Sequence, residues 1–290
     1  MKYLLILSMA ISATLLNGQN PIIKSDLLDA SDPGIERALD FWESYIQESA
    51  SGFSFISSKF WNNNEPLLGF TDIVLAQTGM SSYTIGNLEV YEIQAIDDNF
   101  YRISNRWTFD NNGKTFDIAD FDVLVKDTST DPRLYNYFFI AKQELNSLKI
   151  GNIEYFFPKD YPLNHNSVHE SAALYSKIAD QYGFTDLKGV KYLVANTLKD
   201  ANRIIGFSRS MMSSQNRYAA YTIRGMNMIV ASVENHNHEL VHSIFMPLFP
   251  NANSLFHEGI ATYYGGSIKG KISKIFEMEM KVYESADYIV

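Results

Sequence analysis

The chain has 290 residues, 46% apolar and 20% charged, with a formal net charge of -9 and no cysteine. This is the composition of a globular protein, and the length points to about two domains at roughly 150 residues each. Disulfides, thiolate metal sites, cysteine nucleophiles and iron–sulfur clusters are excluded, so any metal must be held by nitrogen and oxygen, and an acidic chain whose 24 basic residues are scattered argues against a nucleic-acid partner.

Lys2 precedes an apolar run at residues 3–16, and Asn17, Gly18 and Gln19 follow. That is the layout of a secretory signal peptide over residues 1–19. The run is shorter than the roughly 20 residues of a membrane span, and without cysteine there is no lipoprotein anchor. The expectation is an exported protein, secreted or periplasmic, with no transmembrane span after signal removal and a mature chain starting near Gln19 or Asn20.

Residues 20–150 read as an α+β domain. Asp32 and Pro33 open an apolar stripe of Ile35, Leu39, Trp42, Tyr45 and Ile46 at helical spacing, which predicts a helix over 32–47. Alternating, β-rich segments at 88–96, 100–109, 116–125 and 134–141 predict strands of an antiparallel curved sheet, with a hairpin turn at Asp110, Asn111, Asn112 and Gly113. In element order this resembles the nuclear-transport-factor-like cone. Trp42, Trp61 and Trp107 are expected in the core, the alternative being a ligand platform.

Residues 151–290 change to a strand–helix–strand order. A strand is expected at 153–157, then a helix from a capping box of Ser167 and Glu170 to a stop at Gly183. A strand at 190–195, a short helix capped by Thr197 and a strand at 226–232 follow. Two helices are expected at 234–245 and 253–264, with Pro247 and Pro250 in their connection and Gly265 and Gly266 as the stop. A last helix is expected at 272–285.

The sequence His238-Glu239-Leu240-Val241-His242 is an H-E-x-x-H motif. On a helix, a spacing of four puts both histidines on one face, where two imidazoles can bind the same Zn²⁺. Glu239 lies one residue round, within reach of an activated water and suited to act as general base. Glu258, sixteen residues after His242, begins the next helix; two antiparallel helices would return its carboxylate to the metal. His257 beside it points about 100° away round the helix. Tyr263 and Tyr264 follow at a spacing that offers one phenol as oxyanion donor, with packing in the core as the alternative. His236 reads as a loop or capping histidine.

His238-Glu239-Leu240-Val241-His242 followed by His257-Glu258-Gly259-Ile260-Ala261 resembles the gluzincin metallopeptidases, the group of thermolysin and the zinc aminopeptidases, over about residues 153–266. The resemblance implies a gluzincin-like mixed α/β zinc-peptidase domain, a Zn²⁺ cofactor held by His238, His242 and Glu258, and Glu239 as base. It also implies an edge strand pairing with extended substrate, a role falling on Val230, Ala231 and Ser232. The metzincin pattern fails at Phe245, where it needs glycine. The aspartate that thermolysin-like enzymes place four residues after the glutamate ligand is Thr262 here, which leaves the partner of the histidine unassigned.

The expected function is that of an exported zinc metallopeptidase acting on a peptide or protein substrate. The alternatives are a binding protein that keeps the scaffold without turnover, and a zinc hydrolase acting on a non-peptide linkage such as one of the cell wall.

Overall fold

The computed structural model describes residues 22–24, 32–51, 60–62, 87–97, 99–111, 113–127, 131–185, 187–210, 220–223 and 226–266; the run expected as a signal and the helix expected at 272–285 lie outside them. Among the described residues the fold is mixed α+β, with six α-helices and two sheets. One unit comprises Met1–Phe139 and Arg203–Gln215, the other Ile140–Asn202 and Asn216–Val290. The division expected near residue 150 therefore falls between Phe139 and Ile140. Residues 146–150 form a strand hydrogen-bonded to residues 153–157, and this hairpin cannot be split between two cores.

In the first unit, helix α1 (Pro33–Ser51) starts where Asp32 Oδ1 accepts the Gly34 N–H at 2.8 Å. Its first residue is a proline, whose missing N–H would have had no helical partner. Leu39, Trp42, Tyr45 and Ile46 are buried, as the stripe predicts, and the Trp42 indole N–H donates to Asn105 Oδ1 at 2.9 Å. Trp61 and Trp107 are buried too, so the tryptophans build the core. The sheet runs β1 (Ile22–Lys24), β2 (Asn87–Ala95), β3 (Phe100–Asn111), β4 (Lys114–Lys126), β5 (Arg133–Asn136). It is antiparallel from β2 to β5, whereas β1 joins β2 in parallel. Register shifts at Val90/Glu92 and Trp107/Thr108 are bulges, which bend and twist a strand.

Two expectations fail in this unit. The strand expected through 141 stops at Asn136, whose Oδ1 accepts the Phe138 N–H at 2.8 Å; the chain turns there into the short helix α2 (Phe138–Ala141) and a 3₁₀ turn. A strand that the pattern does not announce, β9 (Phe207–Ser210), pairs with β4.

The second unit has a five-stranded sheet in the order β10 (Ala220–Ile223), β11 (Met228–Ala231), β8 (Val190–Val194), β7 (Ile153–Phe157), β6 (Asn146–Ile150). The three central strands are parallel and both outer ones antiparallel. Parallel strands need crossovers, and the helices supply them. Helix α3 (His165–Tyr182) is capped by Asn164, whose side chain accepts from the N–H groups of Asn166 and Ser167. The capping box expected at Ser167 and Glu170 is therefore corrected, since Ser167 already lies inside the helix; the stop at Gly183 stands. Helix α4 (Leu198–Ile204) starts from Thr197, whose Oγ1 accepts the Asp200 N–H at 3.1 Å. Helices α5 (Asn237–Leu248) and α6 (Ser254–Gly265) complete the unit, α6 capped by Asn253. Pro247 lies in the last turn of α5 rather than in the connection. Leu240, Val241, Ile244 and Phe245 of α5 and Ala261 of α6 enter one core with Ile153, Tyr155, Tyr192, Val194 and Ile229 of the sheet.

Candidate metal centre

Helix α5 carries His238 and His242 one turn apart, and α6 returns Glu258 to them. His242 Nε2 lies 3.1 Å from His238 Nε2 and 3.4 Å from Glu258 Oε1, while His238 Nε2 lies 3.2 Å from Glu258 Oε2. Zinc bonds of 2.0–2.2 Å in a tetrahedron set ligand atoms about 3.3–3.6 Å apart. The observed 3.1–3.4 Å separations reach that range from just below it, and two imidazoles with a carboxylate, all within 4.8 Å of one another, are a donor set that fits Zn²⁺. Exposure rises across the triad, from 4% of the His242 side chain through 18% of His238 to 60% of Glu258. The site is closed on the α5 side and open at Glu258, which leaves room for a water or substrate in the fourth position.

The electrostatics follow from that crowding. Hydrogen bonds to His238 and then His242 hold the Glu258 carboxyl well below the usual carboxylate range. Burial opposes the charged form of His238, yet its bonds to Glu258 and the nearby Glu239 carry it above the ordinary histidine value. The His238 Nδ1 stands 3.2 Å from the Gly266 carbonyl oxygen, an acceptor for an Nδ1–H. His242 Nδ1 is buried with no hydrogen-bond partner among the described residues.

Glu239 is the group the motif offers as base. Burial is the main cause pushing its carboxyl above the usual range, opposed by His242, the Thr222 hydroxyl and His238. The Thr222 hydroxyl donates to Glu239 Oε2 at 2.7 Å. Thr222 lies on β10, a strand of four residues too short to show alternation in sequence, so this contact had no signal beforehand.

The strand expected at the edge is not there. Val230 and Ala231 belong to β11, between β10 and β8, with Ala231 opposite both Ala220 and Val194, and Ser232 follows the strand. A central strand has both of its backbone rows engaged, so it has none to offer an added strand. The edges of this sheet among the described residues are β10, next to β11, and β6 at the far side.

Neither phenol is brought to the triad. Tyr263 is 73% exposed. The Tyr264 hydroxyl meets Tyr182 at 2.7 Å and Gln181 at 2.9 Å, and its ring stacks on Phe245. At 100° per residue they sit about 140° and 120° from Glu258 on opposite sides of α6. His257 is buried, its Nε2 3.1 Å from the Phe249 carbonyl oxygen, away from the face of Glu258. His236 is the N-terminal flanking residue of α5 and gives no side-chain cap; burial first, then His238, lowers it to about 4.

Since α5 has no capping side chain, the sheet anchors its entry. The Tyr192 hydroxyl donates to the Val233 carbonyl at 2.7 Å and accepts the His236 N–H at 3.0 Å. Ser171 Oγ donates to Asn237 Oδ1 at 3.0 Å, and Glu234 Oε1 accepts the Asn164 N–H at 2.9 Å. Burial pushes Tyr155 up to about 12 and Tyr192 well above its ordinary value, so both phenols stay protonated as fixed pins. No protein-family profile, no curated protein and no solved structure matches this chain.

Proposed function

We propose that the second unit is a gluzincin-type zinc metallopeptidase, exported and acting on a peptide or protein substrate. The observation that carries the reading is the spacing of the donor atoms of His238, His242 and Glu258, at 3.1–3.4 Å from one another, beside the half-buried carboxylate of Glu239 on the helix of the two histidines. Bound by these three, Zn²⁺ would polarise the scissile carbonyl and acidify a water.

The chain's own groups then divide the remaining work. Thr222 occupies Glu239 Oε2, which leaves Oε1 to take the proton of the attacking water and return it to the leaving amine. Burial favours the proton on Glu239 and the Thr222 and histidine contacts oppose it, which brings its affinity closer to that of the groups it exchanges with. Strand β10 ends the sheet on the side of α5, and an extended peptide added there would pair through backbone alone and tolerate many side chains. A purely structural metal site has no use for Glu239 or for an exposed Glu258.

The test is metal content and turnover of the purified mature protein. Wild type is expected to hold one zinc and to cleave members of a peptide library. Glu239→Gln keeps the zinc and loses hydrolysis by about 10²–10⁴-fold, and Glu258→Ala loses the zinc. Absence of zinc from wild type, or full activity of Glu239→Gln, overturns the proposal. Cleavage confined to peptidoglycan fragments assayed alongside overturns the substrate class.

A further inference from the structure

We infer that Gly265 and Gly266 are positioning residues for the metal: together they set the depth and the tautomer of His238. The inference rests on the zinc reading above and adds residues that the motif does not contain. In sequence the pair is only a helix stop, whereas in the structure each glycine is required for a separate reason.

Gly265 is the last residue of α6 and lies on the same face as Glu258. A Cβ there would stand 2.5 Å from the Asn237 carbonyl carbon and oxygen and 2.5 Å from His238 Cα, closer than a methyl group can approach backbone. Both contacts are backbone, so nothing flexible can move aside. Only hydrogen at this position lets α6 press onto the first turn of α5, and that approach brings Glu258 Oε2 within 3.2 Å of His238 Nε2.

Gly266 is the residue after the helix, at φ +76° and ψ -178°, its N–H donating to the Thr262 carbonyl at 3.0 Å. That conformation is open to glycine and strongly disfavoured for residues with a Cβ. It turns the Gly266 carbonyl to His238 Nδ1, 3.2 Å away. A carbonyl can only accept, so this contact favours the hydrogen on Nδ1, and with zinc in place of the Nε2 proton now shared with Glu258 the Nε2 lone pair would face the metal. The place where a thermolysin-like aspartate would stand is Thr262, and the orienting role passes to a backbone carbonyl four residues on.

Three measurements test this. In zinc-loaded wild type, ¹⁵N imidazole spectra are expected to show His238 protonated at Nδ1 and metal-bound at Nε2; a His238 bound through Nδ1 overturns the inference whether or not any variant folds. Gly265→Ala and Gly266→Ala are each expected to weaken zinc about 10–100-fold in chelator competition. Gly183→Ala is the matched control: Gly183 also has a positive φ, +67°, with open space around it, at the end of α3. It is expected to lower the melting temperature and leave zinc affinity unchanged. Zinc affinity in Gly265→Ala and Gly266→Ala equal to wild type, or reduced no more than in Gly183→Ala, overturns the inference while leaving the zinc reading intact. A wild type that binds no zinc overturns both.

Discussion

Glu239 is where two opposing effects meet on one side chain. Burial raises the carboxyl's proton affinity, and the Thr222 hydroxyl, held at 2.7 Å, lowers it by stabilising the charged form. Removing the hydroxyl removes one of the terms that lower the value, so the sign is fixed. Thr222→Val is expected to raise the Glu239 value further and to move the acid limb of the kcat/KM profile to higher pH, with a rate loss of about tenfold. Thr222→Ser should restore both. A pH profile of peptide cleavage on the three proteins checks this. The single oxygen of Tyr192 is engaged as both donor and acceptor, whereas Thr222 holds Glu239 at Oε2 and leaves Oε1 for proton transfer.

At the scale of elements, the second unit holds its helices by different means at their starts. Helix α3 has a side-chain cap, Asn164, whereas α5 has none and is fixed by hydroxyls from the sheet and from α3. Loss of a cap costs about 0.5–2 kcal/mol. Asn164→Ala is therefore expected to destabilise by that amount and Ser167→Ala by less than about 0.5 kcal/mol, as read from denaturant midpoints. The opposite order would return the cap to Ser167. The anchoring of α5 has a functional side: the loop that Tyr192, Ser171 and Asn164 secure leads directly into His238, so rigidity reaches the ligand through one turn of backbone.

For the whole molecule, each unit has its own buried core, and the candidate metal site lies within the second. Among the described residues no helix is long and apolar enough to cross a membrane. Metal binding and stability are linked through pH. His238 is raised, so its favourable pairing is complete below the ordinary histidine value and lost as pH rises through the raised one. Glu258 is lowered, so its contribution is present above the ordinary carboxylate value and lost as pH falls through the lowered one. Without metal, the His238–Glu258 pair is thus strongest in mildly acid solution, where the proton also competes with zinc for Nε2. Zinc is expected to raise the melting temperature more at about pH 7.5 than at about pH 5.5. At a thousandfold excess over its dissociation constant the gain approaches 4 kcal/mol. Calorimetry with and without zinc at the two pH values checks it.

Much of the fold was legible in sequence because its signals are local. The stripe from Leu39 to Ile46, the apolar run of β7, Thr197 before α4 and the spacing of His238 and His242 all report on neighbours within a few residues, where periodicity and capping act. Glu258 was legible as a donor on the next helix, since two helices joined by a short loop must lie side by side. What the sequence could not determine depends on contacts between distant segments. Which strand is at the edge follows from β10, four residues whose place is decided by pairing with β11. Thr222 reaches Glu239 only through that pairing. Gly265 and Gly266 read as punctuation until α6 packs on α5, and Tyr263 and Tyr264 face away from the triad because the rotation of α6 is set by burial of Ala261 and Tyr264 against the core. Residue types and spacing alone determined the candidate ligands; tertiary packing decided which backbone and hydroxyl groups hold them, because those groups carry no local pattern.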